Sequence, residues 1–268
     1  MKNERIYLDD IAYIDTYIAD ETENYTRRAI LIIPGGAYYN VVSGREGESV
    51  AFEFLAHGFN AFVLNYAVNR AKTFPAQLIE ASCAIKHIKD NYEKYGIDPE
   101  EIYAVGFSAG GHLAASLATM WDKKEIYDAI DMPYGYNKPK GVILIYPVIS
   151  AVSEYSSMFS IKNLLGTDEP TCEQLKAVSI ELNVKETAVP LFIVHSASDT
   201  TVPVENSFLI AEAYSKLKIP FEMHIYPTGA HGFSLGNDIT SKGRTDLLQR
   251  EKWIDKAVSW IKDYISEK

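Results

Sequence analysis

Short apolar runs alternate with amphipathic segments along most of this chain. The runs are rich in Ile, Val and Leu with little polar alternation, which is typical of strands buried on both faces of a parallel sheet; they cover residues 29–33, 61–66, 102–107, 141–146, 191–195 and 222–226. The segments between them space apolar residues as helices do, over residues 74–92, 110–120, 204–217 and 247–265. This alternation predicts an α/β fold with a doubly wound, mostly parallel sheet covered by helices on both faces.

Two parts of the chain depart from this pattern. Residues 6–28 alternate polar and apolar side chains, which predicts antiparallel edge strands with one wetter face. Residues 149–189 have weak periodicity and many polar residues, and we interpret them as a cap or substrate-covering insertion, with a plain surface excursion as the alternative. Because no repeat or flexible linker divides the chain, we expect one domain over residues 1–268.

Composition narrows the possible partners. The chain has 268 residues, of which 47% are hydrophobic and 23% charged, so it is long enough for one large core. Its net charge of −10 argues against nucleic acid and weakly favours neutral substrates. Cys83 and Cys172 are far apart and have no metal-like spacing.

With no signal-peptide pattern and no apolar run long enough for a membrane span, we expect a cytoplasmic protein that does not bind membranes.

The motif that carries chemistry is Gly-Phe-Ser-Ala-Gly at residues 106–110. It lies between the strand predicted at 102–107 and a helix predicted from residue 110, which is the context that gives this motif meaning as a nucleophile elbow. The small neighbours let strand and helix approach closely, and the helix N-terminus directs its positive end towards a developing oxyanion. The sequence therefore predicts Ser108 as a nucleophile.

A serine hydroxyl needs a base, and in this kind of fold the acid and then the histidine follow the serine along the chain. His231 fits because it lies in a loop of small residues just beyond the last predicted strand. The other histidines precede the serine, share its helix or lie within predicted strands (His57, His87, His112, His195 and His224). Asp199 follows the strand at 191–195 and is the predicted acid, whereas Asp168 and Asp238 follow no strand.

A second glycine turn follows the first central strand. Gly35 and Gly36 come directly after the apolar run at 29–33, where backbone N–H groups can approach a carbonyl oxygen with no side chain in between. The predicted oxyanion donors are the N–H groups of Ala109 and of Gly35 or Gly36.

Together these blocks resemble a known group, the α/β-hydrolase esterases related to acetyl xylan and feruloyl esterases, and more distantly the hormone-sensitive-lipase-like esterases. The resemblance rests on Pro-Gly-Gly-Ala-Tyr at 34–38, Arg-Glu-Gly-Glu at 45–48, Gly-Phe-Ser-Ala-Gly-Gly-His-Leu-Ala at 106–114, Asp-Thr-Thr-Val-Pro at 199–203 and His-Gly-Phe at 231–233. Two positions differ from the lipase-like branch, since Pro34 replaces the usual histidine and Ala37 replaces a third glycine.

The resemblance implies an α/β-hydrolase sheet of about eight strands. It also implies hydrolysis of short acyl esters, above all acetyl groups on sugars, through an acyl-enzyme on Ser108 without a metal or organic cofactor. Tyr38, Tyr39 and Tyr66 lie near predicted strand ends, where they either stack on a sugar or feruloyl ring or pack in the core.

Two other functions remain open from the sequence. A peptidase or amidase, including an arylformamidase-like enzyme, would use the same triad. A catalytically inactive binding protein would be expected to lose triad residues, all of which are present here. The expected partner is a small-molecule ester, and a homo-oligomer is compatible with the sequence.

Overall fold

The computed structural model describes residues 1–248 and 252–265 and contains an eight-stranded sheet with the order β1-β2-β4-β3-β5-β6-β7-β8. The strands are β1 (Arg5–Tyr7), β2 (Tyr13–Tyr17), β3 (Arg27–Ile33), β4 (Phe59–Asn65), β5 (Ile97–Phe107), β6 (Gly141–Ile145), β7 (Leu191–Ser196) and β8 (Phe221–Tyr226). From β4 to β8 every neighbouring pair is parallel, whereas β1 pairs antiparallel with β2, and β2 with β4. The predicted mostly parallel sheet with antiparallel strands near its start is confirmed.

Helices follow most of the strands. They are α1 (Ser49–Ala56), α2 (Ala76–Asp90), α3 (Tyr92–Tyr95), α4 (Ala109–Thr119), α5 (Lys124–Ala129), α6 (Met158–Leu165), α7 (Cys172–Val178), α8 (Glu205–Lys216), α9 (Asp238–Ser241) and α10 (Trp253–Ser259). Short 3₁₀ turns form at Ile180–Leu182 and Thr245–Leu247, and π-helical segments at Gly44–Glu48 and Trp260–Ile265. Three of the predicted helices correspond to α2, α4 and α8. The fourth, predicted over 247–265, matches α10 and the segment after it, but its residues 249–251 lie outside the described part of the chain.

Both faces of the sheet are covered, which explains why the central strands are continuously apolar. In β3, Leu31 and Ile33 join the core beneath α2, α4 and α8, while Ile30 and Ile32 join the core beneath α1 and α10. Successive side chains of a strand point to opposite faces, so a strand covered on both sides needs apolar residues throughout. Each fully buried aliphatic side chain contributes roughly 1.5–3 kcal/mol to folding.

Parallel pairing brings the carboxyl ends of the central strands to one edge of the sheet. The loops that leave β3, β5, β7 and β8 therefore meet there, which is where open α/β sheets place their sites. Residues 149–189, interpreted above as a cap or insertion, form α6, α7 and a 3₁₀ turn between β6 and β7. Among the helices of the described residues, none has both the length and the apolar composition that crossing a membrane requires.

Candidate active site

Ser108 occupies the tight turn between β5 and α4. Its backbone has φ of +54° and ψ of −118°, a strained conformation for a residue with a side chain. The turn needs glycine at its flanks, because a Cβ on Gly110 would lie 2.1 Å from the Ile33 carbonyl oxygen and one on Gly106 would lie 2.2 Å from the Gly110 oxygen. These contacts fix the serine where β3 and β5 end.

Three predicted residues form one hydrogen-bonded chain. Ser108 Oγ lies 2.8 Å from His231 Nε2, and His231 Nδ1 lies 2.7 Å from Asp199 Oδ2. A carboxylate only accepts hydrogen bonds, so the proton of the neutral imidazole is on Nδ1 and the lone pair of Nε2 faces the serine hydroxyl. The arrangement leaves the histidine ready to accept the hydroxyl proton.

Asp199 is held as a carboxylate by its surroundings. Burial by itself raises the pKa of this group, but hydrogen bonds from His195 and His231 outweigh it and leave the pKa well below its usual range. The other oxygen, Oδ1, accepts the backbone N–H groups of Thr201 and Val202, both at 2.9 Å. The side chain therefore presents a fixed negative charge to the imidazole.

The structure corrects the prediction for Gly35 as an oxyanion donor. Its N–H already donates to Glu46 Oε2 at 2.8 Å, so it is not directed into the cleft. Gly36 and Ala37 do line the cleft beside Ser108. Ala109 is the first residue of α4, and the first N–H groups of a helix have no acceptor within the helix. Of the three residues predicted to supply oxyanion N–H groups, Gly36 and Ala109 therefore remain as candidates.

For two of the three tyrosines the expected stacking on the substrate is wrong, and the alternative, packing in the core, is correct. Tyr38 is buried and donates to His112 Nδ1 at 2.9 Å, and Tyr66 is buried and donates to the Pro34 carbonyl at 2.8 Å. The two rings contact each other in the core, with centroids 5.7 Å apart. Tyr39 points outward instead, is 55% exposed and lines the cleft.

The cleft around Ser108 has a volume of about 580 Å³. Residues 157–160 at the start of α6 form one wall, so the segment interpreted as an insertion contributes directly to the site. Phe159 in this wall is 62% exposed, and its ring centroid lies 6.0 Å from that of Tyr39. Sequence reasoning missed Phe159 because the weak periodicity of 149–189 gave no orientation to any of its side chains.

Arg45 and Glu46 also line the cleft, on the wall beside the glycine turn. They belong to the Arg-Glu-Gly-Glu block that supported the family resemblance, but the pattern alone gave them no role. Within the described residues no group of three or more His, Cys, Asp or Glu side chains is arranged to hold a metal ion.

Two known family profiles match this chain. The BD-FAE family profile matches residues 14–214, which includes Ser108 and Asp199. The chain belongs to the BD-FAE family. A second profile, for the dienelactone hydrolase family, matches residues 170–265, which includes Asp199 and His231.

Curated relatives of this BD-FAE protein include the endo-1,4-beta-xylanase B of Butyrivibrio fibrisolvens, which is 38% identical over 88% of this chain and 37% of its own length. The acetylxylan esterase of Xylanibacter ruminicola is 30% identical over 80% of this chain and 42% of its own length. The chain thus spans less than half of each of these two proteins. A kynurenine formamidase from Meyerozyma guilliermondii is 27% identical over 83% of this chain and 84% of its own length.

Solved structures share the whole architecture. The alpha/beta hydrolase enzyme MGS-M1, from a Medee basin deep-sea metagenome library, superposes with a TM-score of 0.81 at 31% identity, covering 99% of this chain and 98% of its own. The acetyl ester-xyloside bifunctional hydrolase of Caldicellulosiruptor lactoaceticus superposes with a TM-score of 0.82 at 32% identity, covering 97% and 96%. The predicted α/β-hydrolase fold is confirmed.

Proposed function

We propose that this protein is a serine esterase that hydrolyses short-chain acyl esters, chiefly acetyl groups carried on sugars or xylan-type oligosaccharides. The observation that carries the proposal is the pair of hydrogen bonds that links Ser108 to His231 and His231 to Asp199. Ser108 Oγ lies 2.8 Å from His231 Nε2, His231 Nδ1 lies 2.7 Å from Asp199 Oδ2, and Ser108 and His231 line the cleft. A nucleophile, a base with the correct tautomer and a buried carboxylate in contact are the arrangement that acyl transfer requires.

The reaction proceeds in two halves. Ser108 Oγ attacks the ester carbonyl as His231 Nε2 accepts its proton, and the resulting imidazolium is stabilised by Asp199. His231 then protonates the departing alcohol, leaving an acyl-serine. Water then attacks the acyl carbon as His231 Nε2 accepts its proton; His231 returns that proton to Ser108 Oγ as the bond between Oγ and the acyl group breaks and the carboxylic acid leaves.

The oxyanion of each tetrahedral intermediate needs donors that are in place beforehand. Ala109 supplies its N–H at the start of α4, where the helix dipole also favours negative charge. Gly36, on the turn that lines the cleft beside Ser108, supplies the second N–H in this proposal. Two such donors are sufficient for an oxyanion hole of the usual kind.

The exposed aromatic pair at the cleft supports a sugar as the alcohol part of the substrate. Tyr39, in the turn after β3, and Phe159, in α6, both line the cleft with their ring centroids 6.0 Å apart, and both side chains are largely exposed. Exposed aromatic faces stack on the apolar face of a pyranose ring. Acetylated xylan is also the natural substrate class suggested by the name of the Xylanibacter ruminicola relative.

The nucleophile is tested by labelling with a fluorophosphonate probe. We expect the wild-type protein to be labelled and Ser108→Ala to remain unlabelled. Ser215→Ala is a suitable control, because Ser215 is exposed on α8 and does not line the cleft. Labelling that survives in Ser108→Ala would remove this serine from its proposed role.

The substrate class is tested with a panel of p-nitrophenyl acetate, butyrate and octanoate together with acetylated xylo-oligosaccharides. We expect the acetate to be preferred to the octanoate, and acetylated oligosaccharides to be deacetylated. Tyr39→Ala and Phe159→Ala should each raise KM for the oligosaccharide about tenfold, which corresponds to roughly 1.4 kcal/mol, and leave p-nitrophenyl acetate unaffected. Phe221→Ala is the matched control, since this exposed ring lies at the opposite end of the sheet, at the start of β8. Equal effects of all three variants would contradict the stacking role.

A formamidase or other amidase is the second candidate, and the kynurenine formamidase relative is the observation that favours it. The same triad would cleave an amide, so the distinction lies in the substrate. Formylkynurenine and aminoacyl anilides therefore belong in the same panel. A higher kcat/KM for either of them than for every ester would replace the esterase proposal with this one.

A further inference from the structure

Glu46 is a buried carboxylate that the acyl-transfer chemistry does not use. It lies in the π-helical segment before α1, is 2% exposed and forms part of the wall beside the glycine turn. Its two oxygens have different partners. Oε2 accepts the N–H of Gly35 at 2.8 Å, whereas Oε1 accepts the hydroxyl of Tyr146 at 3.0 Å and lies 3.5 Å from Arg45 Nη2.

Tyr146 extends this contact to the loop that carries the histidine. Its hydroxyl donates to Glu46 and accepts the backbone N–H of Ser234 at 2.9 Å. Its ring packs against His231, with centroids 4.9 Å apart, and against Phe233, with centroids 4.6 Å apart. The ring and hydroxyl of one buried tyrosine thus touch both His231 and the residues that follow it.

Arg45 adds a second connection between the same parts of the protein. Ser234 Oγ donates to the Arg45 carbonyl oxygen at 2.7 Å. The Arg45 guanidinium lies directly against Gly232, since a Cβ at that glycine would be 2.9 Å from Nη2. The segment around Glu46 is therefore joined to the histidine loop by both backbone and side-chain contacts.

Packing alone does not explain a charged residue at this position. A carboxylate loses favourable hydration on burial, and an apolar side chain of similar volume would fill the space at lower cost. Here Oε2 binds the glycine turn directly, next to the proposed oxyanion donor Gly36, whereas Oε1 reaches the loop of His231 through the hydroxyl of Tyr146. Groups that must stay within a fraction of an ångström of each other are commonly held by such supporting hydrogen bonds.

We propose that Glu46 is a positioning residue that, together with Tyr146, couples the glycine turn to the His231 loop and so keeps the oxyanion donors and the base aligned on Ser108. This inference rests on the proposed function. It predicts that weakening the link slows the chemical step, because misalignment lowers transition-state stabilisation without removing any group that contacts the substrate.

The test uses Glu46→Gln, Tyr146→Phe and the double variant in the full-length protein. Gln retains one acceptor for Gly35 but presents an NH₂ group to Tyr146, and Phe retains the ring contacts while losing the hydroxyl. We expect each single variant to lower kcat for p-nitrophenyl acetate about 10- to 100-fold with KM changed less than twofold. The double variant should be no slower than the slower single variant, since both changes break one connection.

Glu80→Gln is the matched control. Glu80 is equally buried and also accepts a backbone N–H, from Ala67 at 2.8 Å, but it lies on α2 outside the cleft. The kcat of the Glu80→Gln variant for p-nitrophenyl acetate at pH 8 should remain within twofold of the wild-type value. Urea unfolding of all variants establishes the folded fraction, so that kcat is expressed per folded molecule.

Two outcomes would overturn the inference. An unchanged kcat per folded molecule in Glu46→Gln would make the residue purely structural, and a raised KM with unchanged kcat would make it a substrate contact. The rate of fluorophosphonate labelling of Ser108 gives a readout that needs no ester substrate. If the wild-type protein is labelled but hydrolyses no ester, the proposed function fails, while slower labelling of Glu46→Gln still supports the positioning role.

Discussion

Replacing Asp199 by Asn changes one atom of the site and leaves its shape intact. Asp199 Oδ1 accepts two backbone N–H groups, from Thr201 and Val202, so the Asn carbonyl oxygen must occupy that position. The NH₂ group then takes the place of Oδ2, 2.7 Å from His231 Nδ1. Because an amide NH₂ only donates, Nδ1 must become an acceptor and the imidazole proton moves to Nε2.

The consequence for catalysis follows from the second contact of the ring. A protonated Nε2 at 2.8 Å from Ser108 Oγ donates to the hydroxyl and cannot take its proton. The wrong tautomer in a serine-histidine-aspartate site lowers kcat by about 10⁴, which is about 5.5 kcal/mol in activation free energy. We expect a loss of this size for p-nitrophenyl acetate with little change in KM.

The assay compares Asp199→Asn with Asp168→Asn. Asp168 is one of the two aspartates that the sequence analysis compared with Asp199. Its side chain is 72% exposed and pairs with Arg70 on the surface, so its replacement should leave kcat unchanged. Urea unfolding checks that both variants are folded. A folded Asp199→Asn protein with a kcat within tenfold of wild type would refute the tautomer argument.

Three further predictions concern stability. Burial raises the pKa of the Glu80 carboxyl group to about 7, above the usual value for a glutamate. The folded state therefore binds this proton more tightly than the unfolded state, and the free energy of unfolding should fall by about 2.5 kcal/mol as the pH rises from 5 to 8. Glu80→Gln should remove that part of the decline, as measured by urea unfolding at both pH values; parallel curves for the two proteins would contradict the assignment. Trp253→Ala should lower the free energy of unfolding by about 3–5 kcal/mol, because the ring is fully buried and its Nε1 donates to the Ser234 carbonyl at 2.8 Å. A loss below 1 kcal/mol in urea unfolding would contradict this prediction and show that the surrounding core collapses into the cavity. Thr171→Ala should cost about 1 kcal/mol in the same assay, since Thr171 and Gln174 form a capping box at the start of α7, and an unchanged midpoint would mean that this helix end contributes nothing to global stability.

The sequence predicted those residues of the candidate site whose position depends only on their order along the chain and on the local geometry of a turn. The glycines of the motif at residues 106–110 predict a strand, a tight turn and a helix around Ser108. The acid Asp199 and the base His231 are then predicted because each comes just after a later strand. Tyr38 and Tyr39 show where that reasoning stops. They are adjacent in the chain, yet one is buried against His112 and the other lines the cleft. Both residues lie in the turn that follows β3, and Tyr38 has a positive φ of +53°, so strand alternation gave no guide to their directions.

The sequence by itself determined the sheet, the helices on its two faces and the order of Ser108, Asp199 and His231, because these follow from hydrophobic periodicity and from glycines close to the serine. Only the tertiary structure decided that the Gly35 N–H is taken by Glu46 and that Phe159 faces the cleft. Those choices depend on contacts between distant segments; Glu46 and Tyr146, for example, are 100 residues apart in the chain. No local pattern encodes such a pairing, since it exists only once the parallel strands have brought their carboxyl ends to the same edge.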